Sequence, residues 1–303
     1  MDHLTSGYTV SFVVTERCNL ACEYCWYTRG IFSRHPPREL PLEAITQFLD
    51  QLIGYRTIDR IELTGGEALL HSEFNLLIPQ LVQYTNRITL MTNGLRLDEN
   101  AVALLKEYNV ELHISLDSVI TDYHQQYRGY QSETIETIRH LKNTGYTNAQ
   151  IVCTLSRRNL EDIPHLIAFA RHNQCEIDFH LLDHVEEHLA LSGKYPDEIH
   201  TLFQYLDPWA ANHRHRKLKL SLFRTLLRNP GFLVPSCLSS QHHLVIEANG
   251  DVYPCFNNKE QLLGNVLGQP DAGTVLNNHK RFKQKLLKPV SCFQSNCAHL
   301  IGG

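Results

Sequence analysis

Three thiols stand close together near the start of the chain, in Thr15-Glu16-Arg17-Cys18-Asn19-Leu20-Ala21-Cys22-Glu23-Tyr24-Cys25-Trp26, with the spacing C-x3-C-x2-C. They follow directly on an apolar, β-branched run, and an aromatic residue, Tyr24, immediately precedes the last of them. Thiolates are soft ligands that suit iron-sulfur clusters, and such clusters normally take four. Three leave one iron open, and an open metal position belongs to a reactive site, because a substrate or cofactor can then bind the metal directly. Half of a zinc site is the alternative. Zinc sites usually pair one C-x2-C with another further on, and no cysteine follows Cys25 until Cys153.

A second motif, Thr64-Gly65-Gly66-Glu67-Ala68-Leu69-Leu70, lies a strand and a helix further on. Together with the cysteine loop it resembles the radical S-adenosylmethionine (radical SAM) superfamily. The resemblance implies that Cys18, Cys22 and Cys25 hold a 4Fe-4S cluster whose fourth iron binds the amino and carboxylate groups of S-adenosylmethionine. Electron transfer then cleaves the sulfonium to a 5'-deoxyadenosyl radical, so the hard chemistry is the cofactor's and the protein positions it. The same resemblance puts Tyr24, Thr64, Gly65, Gly66, Glu67, Asn93, Ser115 and Arg128 near the cofactor, with Glu67 on its amino group. Ala68 stands where the family usually has proline.

Positioning these residues requires strands that end at the site. Tyr8 to Thr15 reads as a strand, and helix and strand then alternate: helix 42–52 with Gly54 as cap, strand 59–64, helix 73–84, strand 87–92, helix 98–108 capped by Asp98, and strand 111–116. A helix capped by Ser132, strand 149–155, a helix capped by Asn159 and strand 176–182 complete six units. Six alternating units predict a parallel sheet wound as a partial (β/α)6 barrel, with chemistry at the carboxyl ends of its strands. Asn93, Ser115, Asp117 and the Arg128-Gly129 loop all fall there. Asp117 is expected to face the substrate space. Asn93 reads equally as a turn residue, Asn159 better as a helix cap, and Arg128 as either a carboxylate clamp or a solvated loop residue.

The alternation stops near residue 190. A His- and Arg-rich helical stretch through Trp209 to Arg228 reads as a basic amphipathic face, either solvated or set against an acidic partner. Beyond it come Cys237, a hairpin turn at Ala248-Asn249-Gly250-Asp251, Cys255, and a closing pair, Cys292 and Cys297. Four thiols suffice for a second, auxiliary 4Fe-4S cluster, and the pattern resembles the Twitch domain, the shortened form of the SPASM domain. The expected organisation is 1–190 barrel, 191–235 helical linker and 236–303 auxiliary-cluster domain. A zinc knob is the alternative for the last.

The chain has 303 residues, a hydrophobic fraction of 43% and a formal net charge of -4, which suits a sizeable core and disfavours a general nucleic-acid binder. Its start lacks the basic and apolar regions of a signal peptide, and no apolar run approaches ~18 residues, so no membrane attachment and a cytoplasmic location are expected. The resemblance implies hydrogen abstraction from an unactivated carbon and an electron donor such as flavodoxin or ferredoxin. The leading expectation is a ribosomal peptide, oxidised, crosslinked or epimerised. Close behind stands a small polyol or aminosugar, and a non-catalytic electron carrier is the reading from another class. Two cysteines remain after the clusters are assigned, Cys153 and Cys175. Cys153 is the candidate hydrogen donor of an epimerase but reads better as a small buried hydrophobe, and Cys175 more so.

Overall fold

The computed structural model describes residues 7–25, 36–182, 188–229, 242–256, 258–268 and 271–285. Cys237, Cys292 and Cys297 lie outside the described residues. The chain divides into two compact units: one holds described residues of 7–21, 25–113 and 242–285, the other those of 22–24, 114–182 and 188–229.

The first unit is built on β1 (Tyr8–Thr15), an apolar strand buried along nearly its whole length, as a strand covered on both faces must be. It pairs in parallel with β2 (Ile58–Gly65), which pairs in parallel with β3 (Ile88–Thr92). Between β1 and β2 runs α1 (Leu42–Ile53), whose Ile45, Phe48, Leu49 and Leu52 are buried at helical spacing. Gly54 ends it as read, its N–H bonding back to Gln51 and Leu52. Then come α2 (Phe74–Leu81) and α3 (Glu99–Glu107), the latter capped by Asp98 accepting from the Ala101 N–H at 2.8 Å. β4 (Glu111–Ser115) passes from the first unit into the second.

In the second unit α4 (Tyr123–Tyr127) and α5 (Gln131–Asn143) precede β5 (Ala149–Leu155), which pairs in parallel with β6 (Glu176–Leu181) across α6 (Ile163–His172). Two expected caps are replaced. Ser132 lies inside the first turn of α5, and Tyr130, left-handed at φ 56°, is the N-cap instead. Asn159 makes no cap bond, because its side chain is taken up between strand ends, as described below. The six strand-helix units and their parallel ladders are those of a partial (β/α)6 barrel.

The basic stretch forms α7 (Pro196–Ala210) and α8 (Arg214–Arg228). Three cations of α8 meet acids of the same chain. Arg216 pairs with Glu176 and Lys219 with Asp178, each at 2.5 Å, and Arg224 with Asp207, while Arg214, His215, Lys217 and Arg228 are exposed.

After this the chain returns to the first unit. β7 (His243–Ile246) adds to β1 in parallel, with Thr9 opposite His243, and β8 (Asp251–Tyr253) and β9 (Gly264–Asn265) extend the sheet antiparallel. The hairpin turn bends at Gly250 with φ 83°, a conformation glycine adopts without penalty. The strand order of this unit is therefore β3-β2-β1-β7-β8-β9, and α9 (Ala272–Lys285) follows. Among the described residues no helix is long and apolar enough to cross a membrane.

One ion pair of this unit makes a pH prediction. Glu111 accepts from Arg60 at 2.8 Å, from His113 at 3.1 Å and from the Thr89 hydroxyl at 3.2 Å. The His113 bond foremost, aided by Arg60, outweighs burial and holds the carboxyl at about 2, below its ordinary 4.5. A depressed folded value contributes stability above the unfolded value that is lost as pH falls toward the folded one. Urea unfolding at about pH 5 and about pH 3 should therefore show a smaller acid loss in Glu111→Gln than in the native chain. Equal losses would refute the assignment.

Candidate active site

In the first unit the candidate residues stand at the carboxyl ends of β1, β2 and β3. Gly65 is opposite Thr15, and a Cβ on it would stand 2.5 Å from the Thr15 carbonyl oxygen, so only glycine permits this approach. The turn is then stitched to the entry of the cysteine loop: Gly66 donates to the Thr15 carbonyl at 2.8 Å, and Glu67 to the Arg17 carbonyl at 2.7 Å. Thr64, Gly65 and Gly66 are half-buried there. The Glu67 side chain turns inward. Its carboxylate, 1% exposed, accepts from the Thr92 hydroxyl and the Asn93 N–H at 2.8 Å each and from the Leu69 N–H at 3.3 Å. Burial pushes its pKa up against these donors. Four acceptor positions less three leave room for one more donor, as an ammonium group would be.

Asn93 is more than a turn residue. Its carbonyl oxygen accepts from Leu95 N–H at 3.0 Å, and its amide donates to Asn19 in the cysteine loop at 2.9 Å. Ahead of that loop, the buried Glu16 carboxylate is gripped by Arg38 through its backbone N–H at 2.8 Å and its guanidinium Nε at 2.7 Å. Asn19 and the Glu16–Arg38 pair were not singled out from the sequence; the one available signal was the run of polar residues, Thr15-Glu16-Arg17, directly before the first cysteine.

In the second unit the centre is Asp117, two residues past β4. Rather than facing open space it is fully buried. It accepts from Arg128 Nε at 2.6 Å, from the Thr154 N–H at 2.7 Å and from the Tyr24 hydroxyl. Burial alone would raise its pKa, but Arg128 and His124 prevail and hold it below the usual range. His124, pushed down to about 4 by burial, is neutral at pH 7, and its Nδ1 accepts the Asp117 N–H at 3.1 Å. Arg128 is accordingly no solvated loop residue; it also stacks over the Tyr24 ring at 5.2 Å. Ser115, half-buried, closes β4.

Asn159 spans these strand ends, donating to the carbonyls of Asp117 at 2.9 Å and Thr154 at 3.0 Å and accepting from Ser156 N–H at 2.8 Å. Cys153 is fully buried with Ile151 and Leu155, and burial raises its thiol pKa well above the ordinary value. Those are the surroundings of a core side chain, not of a thiol presented to a substrate. Cys175 lies at the other end of β6, half-buried.

The cysteine loop fits a cluster by its donors. Cys22 is buried and Cys18 and Cys25 half-buried. The Leu20 N–H points at Cys18 Sγ at 3.4 Å, a bond that favours a thiolate. Among the described residues no three His, Cys, Asp or Glu side chains converge on a single ion. A cluster does not require it, since each thiolate holds an iron of its own.

Residues 12–170, more than half of the chain, match the model of the Radical SAM superfamily. The chain belongs to that superfamily. Residues 237–298 match the SPASM iron-sulfur cluster-binding domain. It is thus a radical SAM enzyme, with the family's 4Fe-4S cluster and S-adenosylmethionine and a further iron-sulfur site in its carboxy-terminal part. Among curated relatives, the mycofactocin maturase MftC of Mycolicibacterium smegmatis is 26% identical over 312 residues, 98% of this chain and 76% of that protein. A GTP 3',8-cyclase of Marinobacter nauticus is 33% identical over 182 residues, 57% of this chain and 54% of that one. The chain therefore spans between about half and three quarters of the length of these two relatives. Its fold is similar to that of Streptococcus suis SuiB bound to S-adenosylmethionine, with TM-score 0.68 and 14% identity over 93% of this chain and 67% of that one.

Glu67→Ala removes the acceptor of three donors, two of them at short distance. Because each buried donor left unpaired costs ~1–3 kcal/mol, unfolding free energy should fall by about 2–5 kcal/mol, and by clearly less in Glu67→Gln, which keeps one acceptor oxygen. Urea unfolding decides. An unchanged midpoint in Glu67→Ala would mean that the carboxylate is not the keystone of these strand ends.

Proposed function

We propose that this radical SAM enzyme modifies a peptide. Cys18, Cys22 and Cys25 hold the cluster; Glu67 and its turn receive the amino group of S-adenosylmethionine; Thr64, Gly65, Gly66, Asn93 and Ser115 line the same cofactor's place. When bound, cluster and S-adenosylmethionine together supply a 5'-deoxyadenosyl radical that takes a hydrogen atom from carbon. The likeness to a peptide maturase carries the reading, because it runs through 98% of the chain, auxiliary part included. The cyclase likeness covers 57%. The acceptor position that Glu67 keeps beyond its three donors argues for catalysis over simple electron carriage, since an electron carrier has no use for a carboxylate that can receive an ammonium group.

Asp117 and Cys153 take other parts than direct chemistry in this reading. The Asp117 carboxylate is ion-paired and the Cys153 thiol sits among core side chains, and with no exposed surface neither is presented to a substrate. The outcome is therefore oxidative, either dehydrogenation or crosslinking. Cys255, half-buried two residues past β8, would hold with Cys237, Cys292 and Cys297 an auxiliary cluster able to take up the surplus electron, and a donor such as flavodoxin or ferredoxin would supply the electron for cofactor cleavage.

The test is co-expression with each short peptide encoded beside the chain's own gene, followed by peptide mass measurement. Loss of a pair of hydrogens is expected, unaffected by Cys153→Ala and abolished by Cys255→Ala. A deuterium gained from deuterated water without loss of hydrogens would replace oxidation by epimerisation, and turnover of a small polyol, aminosugar or nucleotide with every peptide inert would overturn the peptide reading.

Metal content gives an independent check. The anaerobically reconstituted protein should bind about eight irons, and about four after Cys18, Cys22 and Cys25 are all changed to alanine, with all cleavage of S-adenosylmethionine lost. One zinc beside about four irons would remove the auxiliary cluster.

A further inference from the structure

The Asp117–Arg128 pair is an unusual element to bury. Taking two charges out of water costs as much as their attraction returns, and well-packed apolar residues would serve stability as well. What distinguishes the pair is what is fastened to it. On one side of Cys22's neighbour, the Glu23 N–H donates to the Tyr127 carbonyl at 2.9 Å. Next to it the Tyr24 hydroxyl donates to Asp117, and Arg128 lies over the Tyr24 ring. Asp117 in turn is anchored to β5 through the Thr154 N–H, and Arg128 Nη2 reaches the Thr154 hydroxyl at 3.3 Å. These ties recruit Cys22–Tyr24 to the second unit although the residues on both sides of that tripeptide belong to the first. Arg128 thus stands 5.2 Å from the ring centre of a residue two places from Cys22, and its chain neighbour Tyr127 is bonded to the residue in between.

We propose that Asp117 and Arg128 are positioning residues for the cluster: through Tyr24 they fix the Cys22–Tyr24 segment, and their opposed charges set the local field at the Cys22 ligand. The inference rests on the assignment of the cluster to Cys18, Cys22 and Cys25. A positive charge beside a ligand favours the reduced, more negative cluster, and a negative charge opposes it. Removing Arg128's charge and removing Asp117's charge must therefore move the reduction potential in opposite directions. A merely structural role would not do so.

The experiment is a redox titration of the anaerobically reconstituted protein followed by electron paramagnetic resonance, the first cluster being recognised by the change in its signal on adding S-adenosylmethionine. Arg128→Gln should lower its potential and Asp117→Asn raise it, while Arg128→Lys keeps it near the native value. Tyr24→Phe, which removes one hydroxyl and no charge, should leave the potential in place and speed loss of that cluster's iron to a chelator. Shifts of one sign in both charge variants, or none, overturn the electrostatic half; if either fails to fold, native-like iron loss in Tyr24→Phe alone overturns the fastening half. A Cys22→Ala protein that keeps the S-adenosylmethionine-sensitive signal would instead sink the cluster assignment itself.

Discussion

A carboxylate withdrawn from water must be surrounded by donors, and at the strand ends of this protein the donors are largely backbone N–H groups that the strands no longer use. Glu67 takes those of Asn93 and Leu69, and Asp117 that of Thr154. Asp162, likewise buried, takes those of Val119 and Ile120. Each buried acid thus solves a problem that the end of a parallel strand creates. The same solution fixes the loops on which the radical chemistry depends, because a loop whose N–H groups converge on one carboxylate has little freedom left. Rigidity at the site and satisfaction of the backbone are here one arrangement.

The order of strands and helices was legible because apolar spacing reports burial directly, and it placed β1, β5 and β6 nearly to the residue. The motif residues were legible for a different reason. Three thiols at fixed spacing and a glycine pair at a strand end are rare enough to carry chemistry by themselves, and Gly65 is a glycine because the Thr15 carbonyl leaves no space for a side chain. What stayed hidden were the partners. Nothing within a few positions of Asp117 announces that Thr154 will donate to it, nor does Arg38 announce Glu16. Such bonds join residues brought together only by the ladder register, which periodicity does not encode.

The helix caps show the same limit from the other direction. Asp98 caps as read, since its competition was only with solvent. Asn159 had a better offer: two strand-end carbonyls and an N–H within reach of one amide. A local rule holds until tertiary structure supplies a partner of equal chemistry. The basic face of α8 is similar, three of its cations answered by acids on β6 and α7 that lie from 17 to 41 positions away.

The parallel pairing of β7 with β1 bears on how such enzymes can be taken apart. β1 is flanked by β2 on one edge and by His243–Ile246 on the other, so a strand from within the matched iron-sulfur domain is also a wall of the barrel. A cut that discards everything after α8 would strip β1 of one partner and leave its N–H and C=O groups as an open edge, beside the very strand that delivers the cysteine loop. The two iron-sulfur regions are for this reason not beads on a string. Recombination that exchanges auxiliary regions between related enzymes has to break between α8 and Cys237, so that β7 travels with the proposed ligands and must fit the edge of a new β1.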